Sequence, residues 1–279
     1  DTEPVMAAWV IPQIVPCLYP GSFPTHLSRS TISRFLAVLP FVFVDGSNRF
    51  NGSMYLSSPT IGDYESYIVR ELVGHIDANY RTIAESDSRG IMGCSMGGRG
   101  ALKLAFKHPD VFSAAVSISG ALDWGADINW YQAKVFWHTP EDFDDFSQLH
   151  WRAQALIANA AAMASNPDSP PFYLDMPLEE IDGEVRIVQD VRDKFVDFSL
   201  ENYARNYLDQ PVRLHGLMLY HNELDGIVRV EQAREADRLL IVLGIEHDYL
   251  EDHDRAWHCD PPDYAPVLNF MSDHLVFGQ

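Results

Sequence analysis

Lysine is nearly absent from this chain: it stands only at positions 103, 107, 134 and 194, and the remaining basic residues are arginine. Lys and Arg together number 20 against 40 Asp and Glu, a net charge of −20 at pH 7. Nucleic-acid affinity comes largely from Lys and Arg neutralising phosphates, so this balance argues against a nucleic-acid partner and against an anionic membrane surface. The acid-rich surface itself reads as a mark of habitat or solubility rather than of chemistry. Cysteine is scarce too. Cys17, Cys94 and Cys259 are too few and too scattered for a disulfide framework or a CxxC metal knuckle, and one of three must stay unpaired within the chain. Long apolar runs are missing: the stretch from Met6 to Leu18 is broken by Pro12 and Pro16 and lacks a basic leader, so no membrane span is expected and the chain reads as soluble. No internal repeat recurs at solenoid periods.

What remains is an ordinary globular composition. The chain has 279 residues, 47% hydrophobic and 22% charged, with 17 Gly and 17 Pro, which excludes collagen, coiled coil and wholesale disorder. A chain of this length buries about three quarters of its unfolded surface, enough for one large domain or a core with an insertion. It begins at Asp1 without a methionine, so an upstream piece is expected to have been processed away or left off, and the compartment stays open between cytoplasm and secretion. Self-association is open as well.

Strand-like apolar runs alternate with helix-period segments, the pattern of a parallel sheet flanked by helices. Strands are expected at 14–19, at 41–44 closed by Asp45-Gly46, at 90–94, at 114–119, at 212–220 and at 247–250. Asp63 is placed to cap a helix whose face carries Ile68, Leu72, Val73 and Ile76. Further helices are expected through Ala101–Phe106 up to His108-Pro109, from Val230 to Leu243 with Gly244 as its left-handed stop, and from Ala265 to Leu275. The interval 122–210 breaks the alternation. It is rich in aromatics and acids, and is expected to be a helical cap inserted into a core of 1–121 and 211–279, placed over the strand ends where such sheets bind ligands. A packing subdomain without substrate contact is the alternative.

Gly93-Cys94-Ser95-Met96-Gly97-Gly98 satisfies GxSxG between an expected strand and an expected helix. A serine on that sharp turn needs small neighbours so that the strained backbone can pass between strand and helix, and Ser95 becomes the candidate nucleophile. A serine hydroxyl attacks only when an imidazole takes its proton and an acid orients the imidazole, and in this arrangement the chain order is Ser, acid, His. The strand ending near Tyr220 runs into His221-Asn222-Glu223-Leu224-Asp225, which offers Asp225 as the acid with Glu223 as its competitor. After the next strand come His253 and His258. His258, nearer the last helix, is the expected base, and His253 the alternative. Two backbone N–H donors are needed for the oxyanion. One is Met96, and the other is expected in Pro20-Gly21-Ser22-Phe23, from Ser22 with Gly21 in reserve.

These residues resemble the esterase D type of α/β-hydrolase, the group of S-formylglutathione hydrolases, feruloyl and acetyl-xylan esterases and mycolyltransferases. The likeness is strongest from Tyr64 to Trp124, through Tyr67-Ile68-Val69-Arg70-Glu71-Leu72, the Ser95 elbow, His108-Pro109-Asp110-Val111-Phe112 and Ser117-Ile118-Ser119-Gly120. A weaker match over His221–His258 implies Asp225 and His258 as acid and base. Three features depart from the family. The usual His-Gly of the oxyanion loop is Pro20-Gly21, the glycines before the histidine are replaced by Arg255-Ala256-Trp257, and the residues before Ile14 leave room for about one strand where the family has a pair. The resemblance implies an α/β-hydrolase fold with a mostly parallel sheet, short of N-terminal strands, and a serine esterase without cofactor acting on a small-molecule or carbohydrate-linked ester. The same triad would serve an acyltransferase or thioesterase. A metal-dependent hydrolase built on the acids and histidines of 247–260 and a non-catalytic binding protein on a hydrolase scaffold are the competing classes. Trp124, Trp130 and Trp137 are candidates for stacking on substrate, or for the insertion's own core.

Overall fold

The computed structural model describes residues 8–13, 41–122, 127–259, 261 and 263–277. Among the described residues the main sheet has six strands, β1 (Ala8–Gln13), β2 (Phe41–Asp45), β3 (Arg89–Cys94), β4 (Ala114–Ile118), β5 (Gly216–Asn222) and β6 (Asp248–Asp252), in the order β6-β5-β4-β3-β1-β2. Every pairing is parallel. The short, unalternating apolar runs follow from this: β4 is buried at every position and β3 at all but its last, as expected where helices cover both faces.

The helices packed around these strands include α1 (Val73–Asn79), α2 (Met96–Lys107), α3 (Val230–Leu243) and α4 (Ala265–His274). Met92, Val116, Met218 and Tyr220 form one face of the core with Val267, Phe270 and Met271 of α4. Gly90 lies on that same face, where a Cβ would come within 3.2 Å of Met271 and Leu275. Gly93 lies on the opposite face, against α2. Asp63 accepts from the Ser66 N–H at 3.0 Å, so it caps its helical segment as its type and spacing predict. Gly244 closes α3 at φ 70° and sends the Ile245 N–H back to the Leu240 carbonyl.

The strand expected at 14–19 falls outside the described residues, and the first described strand of the sheet is Ala8–Gln13. The strand expected from Val212 begins at Gly216. Arg213 explains the delay: its guanidinium donates to the Leu208 carbonyl at 2.7 Å and to that of Tyr207, capping the helix Leu200–Leu208. The backbone around it is held to that helix end, and pairing with β4 starts only at Gly216.

The chain divides into two compact units, one of 1–45, 67–122 and 203–279, the other of 46–66 and 123–202. The expected insertion at 122–210 therefore differs at both ends. Residues 203–208 belong with the sheet unit because Tyr207 packs on Phe106 of α2, ring centroids 5.0 Å apart. Residues 46–66 join the second unit because Phe50 sits among Phe143, Phe146 and Phe172, and because Ser58 Oγ donates to the Ala161 carbonyl. The second unit holds the buried helix Trp151–Met163, and it also contains a hairpin, Leu178–Ile181 with Glu184–Ile187, so it is not purely helical. Asp182 and Gly183 make that hairpin's turn with φ of 54° and 78°, the left-handed pair that suits strand twist.

Candidate active site

Ser95 stands between the end of β3 and the start of α2 at φ 54°, ψ −118°, a conformation a non-glycine residue adopts only when its surroundings impose it. The surroundings are visible. A Cβ on Gly93 would lie 2.4 Å from the Gly97 backbone, and one on Gly98 would lie 2.8 Å from Ser117 Oγ and 3.0 Å from the Gly93 carbonyl. Both glycines are therefore required by contact, which is why the small residues of the motif sit at those positions. The Ser95 N–H is tied to the Ile118 carbonyl of β4 at 2.9 Å, and the Ser95 carbonyl accepts from Arg99 and Ala121. Met96 opens α2, so its N–H has no carbonyl four residues back within the helix and belongs to the donors that a helix N-terminus leaves over.

Asp225 follows β5 in a tight turn. Its Oδ1 accepts from the N–H groups of Ile227 at 2.8 Å and Val228 at 3.1 Å, and its Oδ2 accepts from Nδ1 of His258 at 2.8 Å. The carboxylate is fully buried, while the His258 side chain keeps 21% of its surface exposed. Burial alone would raise the carboxyl pKa, but the hydrogen bond and charge of His258 and the two backbone N–H groups outweigh it and hold Asp225 below its ordinary range. Because Nδ1–H donates to Asp225, the neutral imidazole presents Nε2 as an acceptor.

His221, also buried, lies 3.6 Å from Asp225 Oδ2 through Nε2 and donates from that atom to the Val228 carbonyl at 2.9 Å. Burial lowers its pKa, against the Val228 carbonyl and the charge of Asp225, and so keeps it a neutral brace for the turn. The competing pair separates from this centre. Glu223 Oε2 and His253 Nδ1 bond to each other at 2.6 Å, with His253 61% exposed and its pKa raised by Glu223. Thus Asp225 meets His258, and Glu223 meets His253.

The histidine loop is held by residues that motif reasoning passed over. Asn222, fully buried at the end of β5, donates to the carbonyls of Asp252 and Arg255 and accepts from the Leu224 N–H. Trp257 donates to Asp252 Oδ2 and packs edge-on against Tyr220. Most telling, Cys94 and Cys259 form a disulfide with Cα atoms 5.5 Å apart. One cysteine immediately precedes Ser95 and the other immediately follows His258. Their 165-residue separation hides the pairing from any spacing rule, but that flanking arrangement is the signal that would have found it. With adjacent Cα atoms about 3.8 Å apart, the bond limits the Ser95 and His258 Cα atoms to no more than about 13 Å from each other. A ring nitrogen of His258 lies within 4.8 Å of both sulfurs.

Ser22, Gly21, Cys17 and Trp124 lie outside the described residues. Trp130 is 1% exposed and packs on Phe195, and Trp137 is 7% exposed, so both belong to the interior of the second unit. As for a metal, among the described residues two clusters have ligand-type atoms close together. In one, two of the three members are the disulfide sulfurs, which are spent as thiolates. The other, Glu223, Glu251 and His253, is already bonded to Arg234, whose Nε donates to Glu251 at 2.9 Å and which also faces Glu223.

The family model described as "Putative esterase" matches residues 42–195. Esterase Rv1288 of Mycobacterium tuberculosis is 42% identical over 72 residues, 24% of this chain, and the matched stretch is only 16% of that relative's length. Among solved structures, FphF, a fluorophosphonate-binding serine hydrolase of Staphylococcus aureus, aligns with a TM-score of 0.59 at 14% identity, covering 98% of this chain and 85% of its own. An S-formylglutathione hydrolase from Agrobacterium tumefaciens aligns at 0.54 and 17% identity, covering 98% of this chain and 82% of its own. At such identities the likeness shows a shared fold, that of the α/β-hydrolases. Among the described residues, no helix is long and apolar enough to cross a membrane.

Proposed function

Because the chain belongs to the esterase family, we propose that it is a serine esterase, hydrolysing carboxylic esters through an acyl-enzyme on Ser95. The observation that carries this reading is the hydrogen bond between buried Asp225 and half-buried His258, on loops that follow β5 and β6 at the same end of the parallel sheet as the Ser95 turn. In this mechanism the Ser95 hydroxyl attacks the ester carbonyl while Nε2 of His258 takes its proton. Asp225 holds the imidazole through Nδ1 and stabilises the imidazolium. The Met96 N–H donates to the oxyanion at the N-terminus of α2, and the Ser22 N–H, with Gly21 in reserve, is the second donor. His258 then returns the proton to the departing alcohol. A water activated by the same imidazole releases the acid and restores Ser95. An alcohol or thiol in place of that water would make the protein an acyltransferase, and a thioester in place of the ester would make it a thioesterase, on the same three residues.

The substrate is proposed to be a small-molecule or carbohydrate-linked ester. With Trp130 and Trp137 buried, a short acyl group is the first choice of probe. The test is turnover of p-nitrophenyl acetate and butyrate by the wild type and by Ser95→Ala, His258→Ala and His253→Ala, with and without a chelator. Loss of turnover in the first two, with His253→Ala and chelator without effect, is the expected result. An inactive wild type that a fluorophosphonate fails to label at Ser95 would leave the scaffold without this chemistry.

A further inference from the structure

We propose that the Cys94–Cys259 disulfide is the positioning device that holds His258 against the Ser95 turn, so that the thiol–disulfide state of this one bond switches the esterase on and off. The proposal rests on the serine-esterase reading and adds a control to its site.

The topology creates the need. In the sheet order β6-β5-β4-β3, two strands stand between β6, from which the histidine loop springs, and β3, which carries Ser95. At a strand spacing of about 4.8 Å the gap to bridge is about 14 Å. The loop must therefore run across the ends of β5 and β4. The anchors described above hold its first half: Asn222 grips the carbonyls of Asp252 and Arg255, and Trp257 lies against Tyr220, all on β5. The Asp225 bond also ties His258 to the turn after β5. None of these four links reaches β3. The disulfide does: Cys94 is the last residue of β3, and its side chain packs at the edge of the core cluster under α4.

Accessibility supports a switch rather than a sealed staple. Both cysteines are only partly buried, so a small thiol can approach them. A dithiol reductant supplies two electrons: its thiolate attacks one sulfur, and the other sulfur leaves and takes a proton. The second reductant thiol then resolves the mixed disulfide. The products are free Cys94 and Cys259 thiols and the reductant's own cyclic disulfide. Oxidised glutathione reverses the change, yielding two glutathione thiols. Once the bond is open, His258 keeps its partner Asp225 but loses its covalent tie to the elbow. Small misplacements of a reacting group cost roughly a hundredfold in rate, so kcat is the quantity at risk.

The experiment uses the full chain with Cys17→Ala, so that only this bond can respond. Turnover of p-nitrophenyl acetate, the rate of fluorophosphonate labelling at Ser95 and circular dichroism are measured for the oxidised protein, for protein reduced with dithiothreitol, and for protein re-oxidised with oxidised glutathione. Work is done well below the melting temperature of the reduced form. The expected result is a fall in kcat and labelling rate of roughly ten- to hundredfold on reduction, with KM within about threefold, an unchanged folded spectrum and full recovery on re-oxidation. Cys259→Ser should match the reduced protein and ignore dithiothreitol. A bond that only adds stability would lower the melting temperature and leave kcat of the folded protein intact, and a reduced, folded enzyme within twofold of the oxidised one overturns the proposal. Free thiols at both positions in air-oxidised protein would overturn it too. If the oxidised protein neither turns over ester nor labels at Ser95, the esterase reading has failed and the switch falls with it. Ser95-dependent turnover that is indifferent to reduction removes the switch alone.

Discussion

Replacing Asp225 by asparagine is the sharpest perturbation of the proposed site, because the change is one of hydrogen-bond direction and charge at nearly constant shape. In the wild type the buried carboxylate accepts two backbone N–H groups at Oδ1 and the His258 Nδ1–H at Oδ2. An amide can keep its oxygen on the two N–H groups of Ile227 and Val228. Its NH2 group then faces Nδ1 of His258, which must become an acceptor, and the ring proton moves to Nε2, the atom that has to receive the proton of Ser95. Loss of the required tautomer costs about ten-thousandfold in kcat in triads of this kind, equivalent to about 5.4 kcal/mol of barrier. Folding should suffer far less, by the value of one charge-assisted hydrogen bond, about 1.5–3 kcal/mol.

The sign of the pH dependence follows. Because the folded Asp225 carboxyl titrates below its ordinary 3.8, its contribution to stability is present above that pH and is lost as pH falls through the folded value. The stability gap between wild type and Asp225→Asn should therefore be full at neutral pH and shrink below about pH 3.8. Steady-state kinetics at pH 7 and urea melts across pH 3–7 measure both. A folded Asp225→Asn protein with kcat within tenfold of wild type would refute the orienting role, and would return attention to Glu223.

Two further outcomes follow from contacts outside the triad itself. Gly93→Ala would drive a methyl group to 2.4 Å from the Gly97 backbone, and should cost about 3 kcal/mol or more, or prevent soluble expression; a thermal melt unchanged from wild type would mean the elbow can open without penalty. Glu251, bonded to Arg234, is lowered to about 2. Its contribution to stability is thus present above its ordinary 4.5 and lost as pH falls from there toward about 2, and carboxyl-carbon NMR of Arg234→Gln should find that residue titrating nearer 4.5.

Much of the sheet was readable because its strands are short, apolar and punctuated. Gly90–Cys94, Ala114–Ser119 and the Gly244 stop each announce themselves through local chemistry that the fold then uses. The Ser95 turn was legible for the same reason, since the demand for small neighbours is a demand on adjacent residues. Asp225 and His258 could be narrowed only by chain order and position, because which acid meets which histidine depends on how two loops lie across strand ends. The role of Asn222 left no local trace, as its partners are carbonyls 30 and 33 residues away. The membership of 46–66 in the second unit leaves no local trace for an allied reason: these residues have no apolar period to declare that partners such as Ala161 come a hundred residues later.

That last arrangement bears on how the protein is made. Phe50 leaves the ribosome well before Phe143, Phe146 and Phe172, the rings it packs among. At about 5–20 residues per second of synthesis, it waits roughly 5 to 25 seconds for them. During that interval the Phe50 ring lacks the three rings it finally packs among, which makes it a natural point of attachment for a chaperone. It also means that a chain truncated before 143 would leave the Phe50 ring without these partners, as a seed for aggregation rather than a smaller working protein.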